Sequence, residues 1–393
     1  MRPFQPQLRI RELQKNLTQA NLDIALLHYS RDIYYYTGFA EPSLLLVTPQ
    51  ESILFIRREK AKERSRIWME EGMIVARADL REVYAQLIDL KIKKGTMGLC
   101  LDILPADRFT EIQELFQKFR ILNVSPLILR QRMVKDEEEV SLVKRAGQIL
   151  AAGTDRVRQF LKPGLREIDL AAEIEAEHRR SLHVGAIFTR LFDFSMGQGP
   201  LSSGPNLRFA SGILHSISGP GLSAALPIGP SDRKIQNGDH VVVDIPCNYQ
   251  GYHADQSRTF VVGKASSKAK KMFRLMREVS DGLIAFLRPG IQAYQVYKKA
   301  WSLAKKLKIE DSFLAYGERR ANFIGHGLGL EINEPPILKK GEKTILEEGF
   351  TLALELLLTH PNAGIMKLED TVVVTSNGAE LLTIAPRELI EVG

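Results

Sequence analysis

The chain has 393 residues, 44% hydrophobic and 26% charged, with a formal net charge of +7. That length accommodates two domains with full cores, and the balance suits an ordinary globular enzyme rather than a disordered or fibrous chain. The two cysteines, Cys100 and Cys247, exclude a disulfide framework and a cysteine-built zinc site, and no run of about 18 apolar residues is present to span a bilayer.

The start, Met1-Arg2-Pro3-Phe4-Gln5-Pro6, lacks the apolar h-region of a signal peptide, so a cytoplasmic protein without a membrane partner is expected. Basic residues are interspersed with acids, as in Arg57-Arg58-Glu59-Lys60-Ala61-Lys62-Glu63-Arg64, which reads as a solvated helix face. No aromatic-interleaved basic motif accompanies them, so no nucleic-acid partner is expected.

In chain order, Gln7 to Asn21 has an amphipathic helical pattern, and Ile24-Ala25-Leu26-Leu27 and Leu44-Leu45-Leu46-Val47 read as buried strands. Ile53-Leu54-Phe55-Ile56 pairs after a turn at Pro49-Gln50-Glu51, and the pattern to about Ser125 is a small α/β domain. Lys135-Asp136-Glu137-Glu138-Glu139 then opens a long helix through Leu161, its acids placed where the helix dipole favours them. The boundary falls near 126–135, giving domains 1–130 and 131–393. Within the second, Phe160-Leu161-Lys162-Pro163-Gly164-Leu165 recurs as Phe286-Leu287-Arg288-Pro289-Gly290-Ile291, each closing one helix before another. Two copies of helix, Pro-Gly break, helix and hairpin imply two α-β halves related by a pseudo-twofold, an α+β fold. The glycine-rich segments at Gly197-Gln198-Gly199-Pro200 and Ser202-Ser203-Gly204-Pro205 lack a Walker lysine and read as loops bordering the site.

Each half ends in an acidic hairpin. Val241-Val242-Val243-Asp244 leads to Asp255-Gln256-Ser257-Arg258-Thr259, and Leu352-Ala353-Leu354-Glu355 leads to Glu369-Asp370-Thr371-Val372, with Gly325-His326-Gly327 between. An unpaired carboxylate in strands this apolar is costly or protonated, and a metal removes the penalty. Four carboxylates and one imidazole suit two bridged divalent ions of the Mn, Co, Zn or Fe type better than Cu(I) or Ca.

With these residues in this order the chain resembles the M24 pita-bread metallopeptidases: methionine aminopeptidase, aminopeptidase P, prolidase and the related creatinase. Asp244 and Asp255 keep that family's eleven-residue step between metal aspartates, within Gly238-Asp239-His240-Val241-Val242-Val243-Asp244 and Gly251-Tyr252-His253-Ala254-Asp255. Gly325-His326-Gly327-Leu328-Gly329-Leu330 before Glu334-Pro335 matches the metal-histidine motif, and Leu368-Glu369-Asp370-Thr371 the last glutamate motif. Tyr35-Tyr36-Thr37-Gly38-Phe39 and Arg132-Met133-Val134-Lys135-Asp136-Glu137-Glu138 resemble the N-terminal domain and linker that methionine aminopeptidases lack, which places the kinship with aminopeptidase P, prolidase and creatinase.

The resemblance implies a pita-bread catalytic domain behind a creatinase-like α/β N-terminal domain, and a homodimer. It implies that Asp244 chelates one metal, Asp255 and Glu369 bridge both, and His326 with Glu355 completes the other. A water between the ions would be the nucleophile and Glu355 its proton acceptor. The substrate expected is a short peptide or small amide.

The substrate shell departs from the family. Ile228 follows the loop Ser218-Gly219-Pro220-Gly221-Leu222-Ser223-Ala224-Ala225-Leu226-Pro227 where peptidases usually carry histidine, and Asn333 stands in place of a second. Lys367 replaces the arginine general in the prolidase branch. Asn333 still offers an amide donor. His215, His253 and His360 are candidate substitutes, with His360 best placed in the hairpin between Glu355 and Glu369; Cys247 is expected to be buried filler. Ile228 and Asn333 support an alternative, a creatinase-like C–N hydrolase or lyase on a small metabolite. A third possibility is a catalytically silent binding module.

Overall fold

The computed structural model describes residues 5–57, 67–193, 196–197, 199–211, 217–316 and 319–393. Most of the charged run 57–64, Gln198 and His215 lie outside the described residues. The chain divides between Arg132 and Met133 into two compact units.

The first unit runs α1 (Pro6–Gln19), β1 (Ile24–Leu27), α2 (Ser30–Thr37), β2 (Ser43–Val47), β3 (Ser52–Ile56), β4 (Ile74–Val75), α3 (Leu80–Asp89), β5 (Gly95–Leu99), α4 (Ala106–Leu115), β6 (Phe119–Asn123) and α5 (Ser125–Arg132). Its sheet has the order β4-β3-β2-β1-β5-β6. β2 and β3 are antiparallel across a turn in which the Thr48 hydroxyl accepts from the amides of Gln50 and Glu51. β5 and β6 are parallel because α4 carries the chain back between them. Ile24, Leu26, Phe55, Val83, Leu87, Leu99 and Phe116 fill the core. Tyr35 and Tyr36 are buried, and the Tyr36 hydroxyl donates to Gln131 at 3.0 Å, a packing role.

The second unit runs α6 (Glu137–Phe160), α7 (Glu167–Arg180), β7 (Leu201–Ser203), β8 (His240–Val243), β9 (Cys247–Tyr249), β10 (Tyr252–Ala254), β11 (Arg258–Val262), α8 (Ser267–Ile284), α9 (Ala293–Lys306), β12 (Ala315–Tyr316), β13 (Arg319–Arg320), β14 (Phe323–Gly327), β15 (Glu334–Lys339), β16 (Thr351–His360), β17 (Gly364–Thr375), β18 (Gly378–Leu381) and β19 (Ile390–Val392). Asp136 caps α6 in a reciprocal box with Glu139, as the acidic run predicts.

The sequence repeat is a repeat of hydrogen bonds as well. After α6 the Gly164 amide donates to Ile235 O at 2.8 Å, and after α8 the Gly290 amide donates to Leu346 O at 2.9 Å. The return bonds, Ile235 N–H to Leu165 O and Leu346 N–H to Ile291 O, are both 2.8 Å. Gly164 and Gly290 take φ of +86° and +88°, open to glycine at little cost. Each Pro-Gly break thus hands one helix to the next while pairing with the strand-bearing segment of its own half.

Those halves supply two sheets, ordered β19-β11-β8-β7 and β15-β14-β16-β17-β18. Val241, Phe260 and Val262 with Leu170 and Ile174 pack one; Leu354, Leu356, Leu368 and Val372 with Met276 and Val279 pack the other. The sheets meet where Ser257 and Glu369 exchange backbone hydrogen bonds of 3.3 and 3.1 Å. Among the described residues no helix is long and apolar enough to cross a membrane.

Cys247 is filler: its buried Sγ lies 3.0 Å from His178 Nδ1. Burial pushes the thiol up and the His178 imidazole down to about 3, so the pair is neutral. Unfolded histidine takes its proton near pH 6.5, so this contribution is intact above that pH and is lost as pH falls. At fixed metal content, stability to denaturant is expected to drop from pH 6 to pH 4 by about 1.4 kcal/mol per unit of depressed pKa crossed. His178→Gln should flatten that slope; an unchanged slope would assign acid sensitivity elsewhere.

Candidate metal centre

β16 and β17 place Glu355 directly opposite Glu369, an arrangement of like charges that is unfavourable without a cation. β14 lies on the other side of β16, with His326 paired to Ala353. Gly325 has φ of +155°, and a Cβ there would collide with the Ala353 carbonyl, so the glycine lets the histidine strand close on β16.

The first acidic pair is more elaborate than one hairpin. Asp244 follows β8 and Asp255 follows β10, because β9 and β10 form a small hairpin between them. Its turn residues Gln250 and Gly251 have φ of +48° and +90°, which sets a tight two-residue connection. Asp255 is fixed to the second pair: its amide donates to the Thr371 hydroxyl at 2.9 Å, and that hydroxyl donates to its carbonyl at 2.8 Å. Arg258 holds Glu369 by donating to its carbonyl at 2.6 Å, and donates at 2.7 Å to Asp370.

One ligand atom each of Asp255, His326 and Glu369 lies within 4.8 Å of the others. His326 Nε2 is 3.7 Å from Glu355 Oε1 and 4.0 Å from Asp255 Oδ2. Its Nδ1 lies 3.1 Å from the Gly327 carbonyl, which assigns the proton to Nδ1 and leaves the Nε2 lone pair toward the acids. Burial lowers this histidine's pKa, so it is neutral and able to ligate.

Lys367 completes the cluster. Its Nζ is 2.7 Å from Asp244 Oδ2, 2.8 Å from Glu369 Oε2 and 3.0 Å from Glu355 Oε2. Burial alone would lower this ammonium's pKa, but Asp244, Glu355 and Glu369 raise it well above the ordinary value. Even so, one ammonium does not balance four carboxylates. Burial, with Asp244 and Glu355, pushes Asp255 up to about 8, and burial with Asp255 pushes Glu369 up as well. Both Glu369 carboxylate oxygens are buried without a well-directed hydrogen bond. A hard to borderline divalent ion fits this donor set and would replace the protons the acids otherwise hold.

The cluster lines a cavity of about 260 Å³. Leu191, Met196, Phe323, Ile332 and Ile337 form an apolar wall facing the acids, Asn333 joins the rim, and Pro200 of the glycine-rich segment borders it. Sequence periodicity does not reveal that wall, because its members come from loops and strands far apart in the chain. Lys367 was legible, lying two residues before Glu369 on the same strand face.

Three expectations are corrected or resolved by this geometry. His360 is not brought to the cavity: β16 extends five residues beyond Glu355, His360 falls on the opposite strand face, and its Nδ1 accepts from the Asn362 amide at 3.1 Å. His360→Asn is expected to leave turnover within about twofold, against the roughly 100-fold loss of a general acid or base. His253 is a packed histidine, its Nδ1 2.9 Å from Gly329 O and its Nε2 accepting from the Phe188 amide at 3.1 Å. Ile228 is buried and does not line the cavity.

Comparison with known proteins gives the family of the chain. Residues 141–376 match the metallopeptidase family M24, and residues 9–134 match the Creatinase/Prolidase N-terminal domain. An Xaa-Pro dipeptidase of Pyrococcus horikoshii is 27% identical over 389 residues, covering 97% of this chain and 98% of that protein. The solved recombinant prolidase of Thermococcus sibiricus superposes with a TM-score of 0.78 at 26% identity, over 99% of each chain. An Xaa-Pro dipeptidase from Bacillus anthracis has the same fold, with a TM-score of 0.83 at 24% identity over 98% of this chain and 100% of that one. The creatinase-like and silent readings gain no support from these relatives. The chain belongs to metallopeptidase family M24 and is a metal-dependent peptide hydrolase of creatinase/prolidase architecture.

Proposed function

We propose that this protein is a dipeptidase-type enzyme that hydrolyses short peptides, with Asp244, Asp255, His326, Glu355 and Glu369 as the metal-binding residues. The observation that carries the reading is the convergence of Asp255, His326 and Glu369 donors within 4.8 Å on a cavity with an apolar wall. Mn, Co, Zn and Fe suit the donors, and two ions are the count implied by the resemblance. The cavity volume, about 260 Å³, lies just below the usual range for small-molecule sites, which favours a short substrate.

A bound divalent ion would supply a water of lowered pKa and polarise the scissile carbonyl. Glu355 accepts the proton released there and delivers it to the leaving amine. Asn333 donates its amide N–H to the substrate. Leu191, Met196, Phe323, Ile332 and Ile337 pack against the peptide's side chains and exclude water. Without an imidazole at position 228 or 333, one oriented donor is missing relative to the family pattern, a deficit of about 2.7–4 kcal/mol where such a donor acts.

A cytoplasmic homodimer is the accompanying reading. Both parts rest on the family resemblance read in the sequence. Light scattering on the purified protein tests the dimer. The catalytic reading is tested with a dipeptide panel, with and without proline in the second position, after chelation and after adding back Mn, Co or Zn. Metal-dependent hydrolysis is expected, with Xaa-Pro turnover below the enzyme median of about 10 per second. Failure to cleave any member with metal bound would overturn the peptidase assignment.

A further inference from the structure

The geometry points to Lys367 as an internal cation that takes the place of one divalent ion, so that the resting enzyme holds a single tightly bound metal at Asp255, His326 and Glu369. This rests on the metal centre proposed above and changes its stoichiometry.

The backbone delivers the ammonium to the acids. Lys367 pairs with Leu357 and Glu369 with Glu355 in the same β16–β17 ladder, so Lys367 and Glu369 share a strand face. Thr259 pins that point of β17, its hydroxyl accepting the Lys367 amide at 3.0 Å and donating to the Lys367 carbonyl at 2.8 Å. Lys367 is only 4% exposed.

Its charge is fully occupied there. The ammonium lies 2.7–3.0 Å from three carboxylates, those of Asp244, Glu355 and Glu369, and donates a hydrogen bond to Asp244. Leu314, Ala321, Phe323, Leu356 and Leu357 surround the small void next to Lys367 and Glu355, so withdrawal in that direction would leave an ammonium in apolar surroundings. A second divalent ion on the Asp244 side must therefore compete with a tethered cation already bound to the same oxygens.

The close trio is Asp255, His326 and Glu369; Asp244 is not a member, and its Oδ2 is held by Lys367. An arginine at position 367 would present a longer, planar fork, whereas lysine is a compact point charge nearer in kind to a metal ion. Each charge-assisted bond an incoming ion must replace corresponds to about 10- to 150-fold in affinity.

The test is equilibrium dialysis of the metal-freed, full-length protein against MnCl₂, with elemental analysis and EPR. Wild type is expected to saturate one site, with the six-line signal of isolated Mn, and to bind a second ion at least about 100-fold more weakly. Lys367→Met and Lys367→Gln, checked for folding by circular dichroism, should bind two ions within about tenfold of each other and give a spin-coupled spectrum. Two equally tight ions in wild type would overturn the inference while leaving the metal centre standing. Folded Lys367 variants that still hold one ion would overturn it as well. No bound Mn in wild type would overturn both this inference and the proposed centre. Should neither variant fold, the wild-type titration alone decides between one tight ion and two.

Discussion

Glu369→Ala is expected to abolish metal retention and to lower peptide hydrolysis by about 1,000-fold or more, roughly 4 kcal/mol of transition-state stabilisation. Glu369 is the residue at which the centre's contacts converge: its carboxylate is near Asp255, His326 and Lys367, and its backbone bonds Ser257 and Arg258. Removing the side chain takes a donor from the trio and one acceptor from the ammonium. Glu369→Gln keeps the shape and removes the charge, and should lose metal as well. Elemental analysis and turnover measured on the same samples check this. Retained metal with lost activity would reassign Glu369 from ligand to proton carrier.

Arg258→Ala should produce the largest loss of stability. This side chain is 1% exposed and donates to the carbonyls of Ser257, Glu369, Ala385 and Pro386 as well as to the Asp370 carboxylate. Truncation leaves those acceptors short of a donor, and breaking a buried ion pair costs about 3–5 kcal/mol. Thermal unfolding is expected to fall by about 10 °C. Metal affinity should fall with it, because the Glu369 backbone loses its anchor. Arg258→Lys restores the charge without the fork and should recover only part of the loss. A midpoint within about 2 °C of wild type would show that Arg387, which also reaches Asp370 at 2.7 Å, carries the pair unaided.

Much of this centre was legible in the sequence because charge in apolar strands has few explanations. Asp244 and Glu355 end or interrupt runs of Val, Leu or Ala, Asp255 and Glu369 stand shortly before the apolar stretches 260–262 and 372–374, and the Phe-Leu-X-Pro-Gly repeat marks the two halves that bring those strands together. Strand parity also reaches Lys367: it stands two positions before Glu369, so the alternation that aims one at the cluster aims the other there too. The same rule removes His360, which lies an odd number of residues from Glu355 on a strand longer than a tight hairpin needs. The β9–β10 hairpin was hidden because Asn248-Tyr249-Gln250-Gly251 resembles a plain loop until positive φ at two consecutive residues folds it. The apolar wall and the tethers from Thr371 and Arg258 depend on contacts across more than 100 residues, which no local pattern encodes.

The central claim is that Asp255, His326 and Glu369 hold a divalent metal on which peptide hydrolysis depends. The most direct measurement is anomalous diffraction at the Mn edge from crystals grown with MnCl₂, paired with turnover of the same preparation before and after chelation. The result expected is an anomalous peak within ligand distance of all three side chains, and hydrolysis that disappears on chelation and returns with Mn. A cluster without a peak in an enzyme that still cleaves dipeptides after chelation would contradict the account.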